Sequence, residues 1–257
     1  MVDTAEVRRE ITGDEVRRLR ADGFLRVGKV LTDDELAEAR EHVDRVVAAR
    51  VAGGERPEYI YAIHACDEYF GRLASHPRLL DILEPVLGPD IVLLSTHLLC
   101  KPPEDGHAVA WHQDGAFAPL EPMSLVSLYL ALDDCDAGNG CMRMLPGSHR
   151  GGRVAHETNR DGEAARKQIP QAIIDAYEPV PMELRAGECS LHLPWVIHGS
   201  ESNRSDRRRA GLPMRYIDGV TRIVHSADSY NPEPLPGDAE SQIRVVRGRR
   251  TVSDGDA

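Results

Sequence analysis

The chain has 257 residues, a formal net charge of −11 and 41% hydrophobic residues, with aromatics at only 5%. That length suits one large domain whose core leans on Leu, Val, Ile and Ala, and the acidic balance argues against a nucleic-acid or anionic-membrane surface. Five cysteines without paired spacing, Cys66, Cys100, Cys135, Cys141 and Cys189, fit reduced thiols better than a disulfide framework. No apolar run approaches a membrane span, and the charged opening MVDTAEVRREITGDEV lacks the apolar stretch of a secretory signal, so a cytoplasmic location is expected.

Two helix starts are legible first. Thr12-Gly13-Asp14-Glu15 and Thr32-Asp33-Asp34-Glu35 each place Thr at the N-cap and Glu three residues on, the pattern of a capping box. The first helix should stop at Asp22-Gly23, where glycine can turn left-handed, and Phe24-Leu25-Arg26-Val27 then reads as a short strand. The second carries Leu36, Ala39, Val43, Val46 and Val47 on one face and should run to about Arg50. A third fits Pro77 to Leu87, closed by Gly88-Pro89.

From Asp90 onward the texture changes. Short apolar or alternating runs at 91–99, 108–111, 125–132, 141–145, 189–193 and 214–217 are separated by Gly, Pro and Asp clusters and read as strands. A mainly β fold with flanking N-terminal helices follows, a β-sandwich or jelly roll with the helices packed outside. The polar stretch from Arg150 to Pro179 has no strand pattern and is expected to be an insertion or lid. RGRRTVSDGDA is expected to fray. The organisation expected is one domain over 1–257: a mostly helical flank at 1–89, a β core at 90–225 carrying the 150–179 lid, and a tail at 246–257.

The chemistry concentrates in AWHQDGAF. His112 and Asp114, two residues apart on a strand, point to the same face of a sheet, and PWVIHGS offers a third ligand in His198. Two histidines and one carboxylate with the opposite face open form the ligand set of non-haem iron(II) sites. Downstream, Arg207-Arg208-Arg209 could hold a dicarboxylate through a bidentate guanidinium; Arg207 and Arg209 share a face if the segment is extended.

Trp111-His112-Gln113-Asp114, the Asn-Gly…Leu-Pro-Gly-Ser-His run at 139–149 and His198-Gly-Ser-x-x-Asn-x-Ser ending in Arg209 occur in this order over most of 95–217. In these elements and their spacing the chain resembles the phytanoyl-CoA dioxygenase family of iron(II)- and 2-oxoglutarate-dependent oxygenases. The resemblance implies a double-stranded β-helix (jelly roll, cupin-like) with iron(II) held by His112, Asp114 and His198, and with 2-oxoglutarate and O2 as cosubstrates. In that family the arginine that binds 2-oxoglutarate lies eleven residues past the distal histidine, which here is Arg209. The reaction implied is a hydroxylation of an unactivated C–H on a small organic molecule, a secondary-metabolite or lipid-like acid, with release of succinate and CO2.

Around this centre, Ser200, Ser95 and Tyr129 are expected to line the 2-oxoglutarate pocket, and His107, Phe117, Trp195 and Arg215 to contact substrate. Lys101 reads as a strand-end surface lysine, His97 and His192 as packed or hydrogen-bonded core residues, and the cysteines as buried apolar fillers. The partner expected is a small molecule, with no nucleic acid or membrane, and the chain itself a monomer or homodimer. Desaturation, epimerisation and ring closure use the same site. A zinc hydrolase could use the same three ligands but has no need of Arg209. Halogenation is disfavoured because Asp114 fills the position that related halogenases leave open.

Overall fold

The computed structural model describes residues 7–158, 167–224 and 243–252. Five helices precede or interrupt the first strands: α1 (Gly13–Asp22), α2 (Asp33–Ala52), α3 (Ile63–Cys66), α4 (Glu68–Ala74) and α5 (Pro77–Leu87). Both capping boxes form, with the Thr12 and Thr32 hydroxyls accepting from the backbone of Glu15 and Glu35. α1 ends on Gly23 at φ 91°, a left-handed cap that favours glycine.

The strands are β1 (Phe24–Lys29), β2 (Ile60–Tyr61), β3 (Ile91–Lys101), β4 (Val109–His112), β5 (Leu120–Glu121), β6 (Leu125–Ala131), β7 (Met142–Met144), β8 (Glu157–Thr158), β9 (Lys167–Gln168), β10 (Val180–Met182), β11 (Glu188–His192), β12 (His198–Ser200), β13 (Arg209–Asp218), β14 (Arg222–Ile223) and β15 (Arg244–Arg247). A seven-stranded sheet runs β1-β11-β6-β13-β3-β15, with β2 also on β3, and a four-stranded sheet runs β10-β7-β12-β4. All the pairings are antiparallel, giving the expected jelly roll. Among the described residues no helix is long and apolar enough to cross a membrane.

In the large sheet the two faces have opposite chemistry. Leu98, Cys100, Leu128, Leu130, Leu191, Ala210, Leu212 and Met214 turn outward and join Leu19, Leu36, Val43, Leu79 and Ile82 of the helices in one buried cluster. The alternate residues face the interior, and many are polar: Ser95, His97, Lys101, Ser127, Ser190, His192, Arg209 and Arg215. A bulge sets this phase on β3. Arg215 pairs with Ser95 and Tyr216 with Leu93, so Leu94 is the extra residue and everything after it changes face.

Two expectations need correction. β13 begins at Arg209, five residues earlier than the apolar run 214–217 indicates, because its inward positions are not apolar. The tail is docked as far as residue 252: β15 pairs with β3, Arg244 pairs with Glu68, Arg247 bridges Asp81 and Glu84, and Arg249 N donates to Asp90. Residues 253–257 lie outside the described residues, as does 159–166, the centre of the expected lid. The flanks of that lid are packed: Ile169, Ile174, Val154 and Tyr177 form a cluster with Trp111, Leu145 and Ile197.

Glu35 couples the helical flank to itself. Its carboxylate accepts from Thr32 N at 2.8 Å and from Arg78 Nη1 at 2.8 Å. Burial alone would raise its pKa, but the Arg78 and Thr32 hydrogen bonds outweigh burial and bring it to about 2 from 4.5. A lowered carboxylate pKa stabilises the fold above the unfolded value, and that contribution is lost as pH falls through the folded one. Glu35→Gln should therefore cost about 1–2 kcal/mol at neutral pH. The gap from wild type should narrow between pH 4.5 and about 2. Urea midpoints measured across that range check it, and a constant gap contradicts it.

Candidate metal centre

The small sheet places the two histidines. β12 pairs with β4 so that His198 lies opposite His112. Each imidazole has its Nδ1 against the carbonyl two residues earlier, His112 to Ala110 at 2.8 Å and His198 to Val196 at 3.1 Å. A carbonyl can only accept, so Nδ1 carries the hydrogen and Nε2 presents its lone pair to the interior. Burial, and then the neighbouring His112 and His192, hold the His198 pKa well below its usual value, which keeps the ring neutral. Asp114 completes the group: its Oδ1 lies 3.6 Å from His112 Nε2 and 3.9 Å from His198 Nε2. The ligand atoms all fall within 4.8 Å of one another, a spacing suited to one ion.

The carboxylate does not come from the strand itself. β4 ends at His112, Gln113 is extended, and Asp114 opens a short 3-10 turn over Asp114–Ala116. Gln113 points the other way and ties down the neighbouring loops, donating to the Trp195 and Gly152 carbonyls and accepting from Val154 N.

One rung of the large sheet holds Asp114 from the far side. Ser127 Oγ donates to Oδ2 at 2.6 Å, His192 Nε2 meets the same oxygen at 3.0 Å, and Arg215 Nη2 donates to Oδ1 at 2.6 Å. His192, Ser127, Arg215 and Ser95 are register partners across β11, β6, β13 and β3. Burial would raise the Asp114 pKa, yet Arg215 and the histidines hold it well below the ordinary carboxylate range. His192 is a buried, hydrogen-bonded residue as expected, and His97 faces the same space, its Nε2 at 2.5 Å from Arg215 Nη1. Burial and Arg215 both disfavour a charge on His97.

The other end of β13 carries a second cation. Arg209 is wholly buried, and its Nε, Nη1 and Nη2 have no hydrogen-bond partner among the described residues. The guanidinium lies 5.2 Å from the Tyr129 ring centroid. Its neighbours Tyr129, Cys135 and Cys141 stay neutral, because burial raises all three pKa values despite the arginine, Cys141 to about 11. A desolvated, unpaired charge of this kind costs several kcal/mol and calls for an anion of matching shape. Lys101, the register partner of Arg209, is buried rather than at the surface; its Nζ donates to Ser200 Oγ at 2.8 Å and to the Glu201 carbonyl. Arg207 is exposed and pairs with Asp136, and Arg208 pairs with Asp133 and Asp44.

A two-histidine, one-carboxylate group built on the small sheet and a buried arginine on the inner face of the large one agree with the comparisons. The family model described as phytanoyl-CoA dioxygenase (PhyH) matches residues 19–211. The chain belongs to the phytanoyl-CoA dioxygenase family. A probable alpha-ketoglutarate-dependent hypophosphite dioxygenase of Stutzerimonas stutzeri is 28% identical over 249 residues, covering 90% of this chain and 84% of that protein. Among solved structures, EctD from S. alaskensis with 2-oxoglutarate and 5-hydroxyectoine aligns with a TM-score of 0.75 at 20% identity, covering 99% of this chain and 92% of the other. The alpha-ketoglutarate-dependent epimerase SnoN from nogalamycin biosynthesis aligns with a TM-score of 0.71 at 24% identity, covering 93% and 95%. These two likenesses establish the fold. This member of the phytanoyl-CoA dioxygenase family is an Fe(II)/2-oxoglutarate-dependent dioxygenase.

The remaining expected site residues separate in space. Tyr129 and Ser200 stand near Arg209 and Lys101, whereas Ser95 sits at the Arg215 end of β3 with its hydroxyl 3.2 Å from His97. Phe117 lies 5.9 Å from the His112 ring, and His156, which the sequence did not single out, lies 5.8 Å from Phe117. Trp195 packs on Gly115, directly after Asp114. His107 is exposed in the loop before β4.

Gly211 makes room for the Arg209 end. A Cβ there would overlap the Tyr129 hydroxyl and ring. Gly211→Ala should cost about 1–3 kcal/mol of stability through overpacking. By pushing Tyr129 against Arg209 it should weaken 2-oxoglutarate binding more than iron binding. Chemical denaturation and separate titrations of the two ligands check this, and equal effects on both contradict it.

Proposed function

We propose that this dioxygenase hydroxylates an unactivated C–H of a small organic molecule, a secondary-metabolite or lipid-like acid, with 2-oxoglutarate converted to succinate and CO2. The observation that carries the reading is the Arg209 guanidinium, without a hydrogen-bond partner among the described residues and buried on the inner face of the large sheet, where its register partner Lys101 reaches Ser200 on the strand that carries His198. A zinc hydrolase built on these ligands leaves that buried charge without a purpose.

In this reading His112 Nε2, Asp114 and His198 Nε2 hold the iron, and Arg209 clamps the far carboxylate of 2-oxoglutarate. Tyr129 stacks on that clamp, and Ser200, fixed by Lys101, lies beside it. When bound, iron and 2-oxoglutarate supply the oxidising chemistry with O2. The chain's own contribution is to orient and to exclude water. Ser127 and His192 fix the Asp114 carboxylate through Oδ2, Arg215 pairs with Oδ1 while no ion is bound, and the two backbone carbonyls fix the imidazole tautomers. Phe117, Trp195, His107 and Arg215 are the proposed substrate contacts. The packed flanks of the 150–179 segment, attached to β4 through Ile169 N and the Trp111 carbonyl, suit a cover over that side. The enzyme works in the cytoplasm as a monomer or homodimer.

The test combines iron content, 2-oxoglutarate titration and succinate formation. His112→Ala, Asp114→Ala and His198→Ala should each lose stoichiometric iron while remaining folded. Arg209→Lys keeps charge but loses the planar fork, so 2-oxoglutarate should bind roughly tenfold to a hundredfold more weakly, the equivalent of about 1.5–3 kcal/mol. Arg207→Ala should leave it unchanged. Full activity in any ligand variant, or an impaired Arg207 variant beside a normal Arg209 variant, overturns the assignment.

A further inference from the structure

Arg209 and Arg215 share the inner face of β13, with Gly211 and Pro213 between them. Six residues of strand separate their Cα atoms by roughly 20 Å. Arg209 is wholly buried, whereas the Arg215 side chain is 19% exposed beside an Asp114 side chain that is 1% exposed. The other partly exposed groups are on the same side. Tyr61 lies edge-on to His97 at 4.8 Å, Tyr59 lies 5.2 Å from the same ring, and Phe117 faces His112. Tyr59 is 45% exposed, yet its hydroxyl end is desolvated beside Arg215. The metal group therefore opens to solvent through a rim of aromatic rings around one arginine.

The charge count identifies what this rim recognises. Asp114 and Arg215 form a neutral pair. A divalent ion in the triad adds two positive charges, and the metal-binding carboxylate of 2-oxoglutarate removes one, while Arg209 balances the other carboxylate. At this end of the interior one positive charge remains, and Arg215 carries it to the rim; buried Lys101 stands at the Arg209 end, held by Ser200 and the Glu201 carbonyl. His97 points to the same need. Its Nε2 takes an Arg215 N–H, so its hydrogen is on Nδ1, and that buried Nδ1 has no hydrogen-bond partner among the described residues. We propose that Arg215, backed by His97, is the recognition point for a carboxylate on the substrate, and that the substrates are small organic monoanions whose apolar body lies among Tyr59, Tyr61 and Phe117. This rests on the iron and 2-oxoglutarate reading above. In that loaded state the ion takes over the Asp114 charge and releases Arg215 for the substrate.

The test uses wild-type protein loaded anaerobically with Fe(II) and saturating 2-oxoglutarate, so that Arg209 is occupied. Alkyl and aryl monocarboxylates, from acetate to decanoate together with benzoate and phenylacetate, are titrated beside their primary amides by equilibrium dialysis. At least one acid should bind tenfold or more tightly than its amide. That preference should disappear in Arg215→Gln, persist in part in Arg215→Lys, and vanish in wild type stripped of metal by chelation. The metal-stripped arm needs no variant to fold. Iron content and 2-oxoglutarate binding of the wild type are measured first. If either is absent, the earlier reading fails and this one with it. If both are normal, then acids and amides binding alike, no acid binding at all, an acid preference that survives Arg215→Gln, or one indifferent to metal overturns the carboxylate assignment alone.

Discussion

One carboxylate deprived of water organises the interior. The Asp114 side chain is only 1% exposed, and isolation there would drive it to bind a proton. The fold answers with a hydroxyl, an imidazole and a guanidinium supplied by three adjacent strands. Because those donors come from one register row, any slip of β11, β6 or β13 would leave the charge uncompensated. The pairing of the large sheet and the ionisation of one side chain are therefore a single constraint.

That constraint inverts the usual economy of a sheet. The helices take the apolar face of the large sheet and form the main core with it, so the opposite face is freed for polar work. The space between the sheets is divided along its length. Tyr129, Cys135 and Cys141 pack near Arg209, Leu120, Leu125 and Ile223 close a separate apolar cluster, and the His112–Asp114–His198 group belongs to neither. Two arginines at opposite ends of β13 then meet different electrostatic demands, one wholly enclosed and one at the rim.

The sequence shows some of this plainly. Local hydrogen-bond chemistry is self-declaring: both capping boxes and the Gly23 cap form from the residues that announce them, and His112, Asp114 and His198 come together as a group. The wholly buried Arg209 also occupies the position the family spacing assigns. Other features are hidden for a physical reason. A polar residue alternating with apolar ones looks the same whether it faces solvent or an enclosed site, so Lys101, His97 and His192 gave no distinctive signal. β12 has only three residues and no periodicity of its own. The pairing of β15 with β3 joins segments about 150 positions apart in the chain, and nothing in the local run Arg-Val-Val-Arg foretells it. The signal that could have found His192 was its register: two positions after Ser190 on a strand whose Cys189 and Leu191 are apolar.

The extra residue at Leu94 has a wider meaning. It acts as a phase joint, so the two halves of β3 obey opposite rules about which side chains enter the interior. Upstream of it, Ile91 and Leu93 serve the helical layer; downstream, the same odd positions become Ser95, His97 and Lys101 in the site. The half that anchors the fold and the half that faces chemistry can therefore change independently along one continuous strand. Because Leu94 has no partner on β13, its removal would let Ser95 follow Leu93 in regular alternation and keep both halves in register, which makes this one position more tolerant of a deletion than its neighbours on the strand.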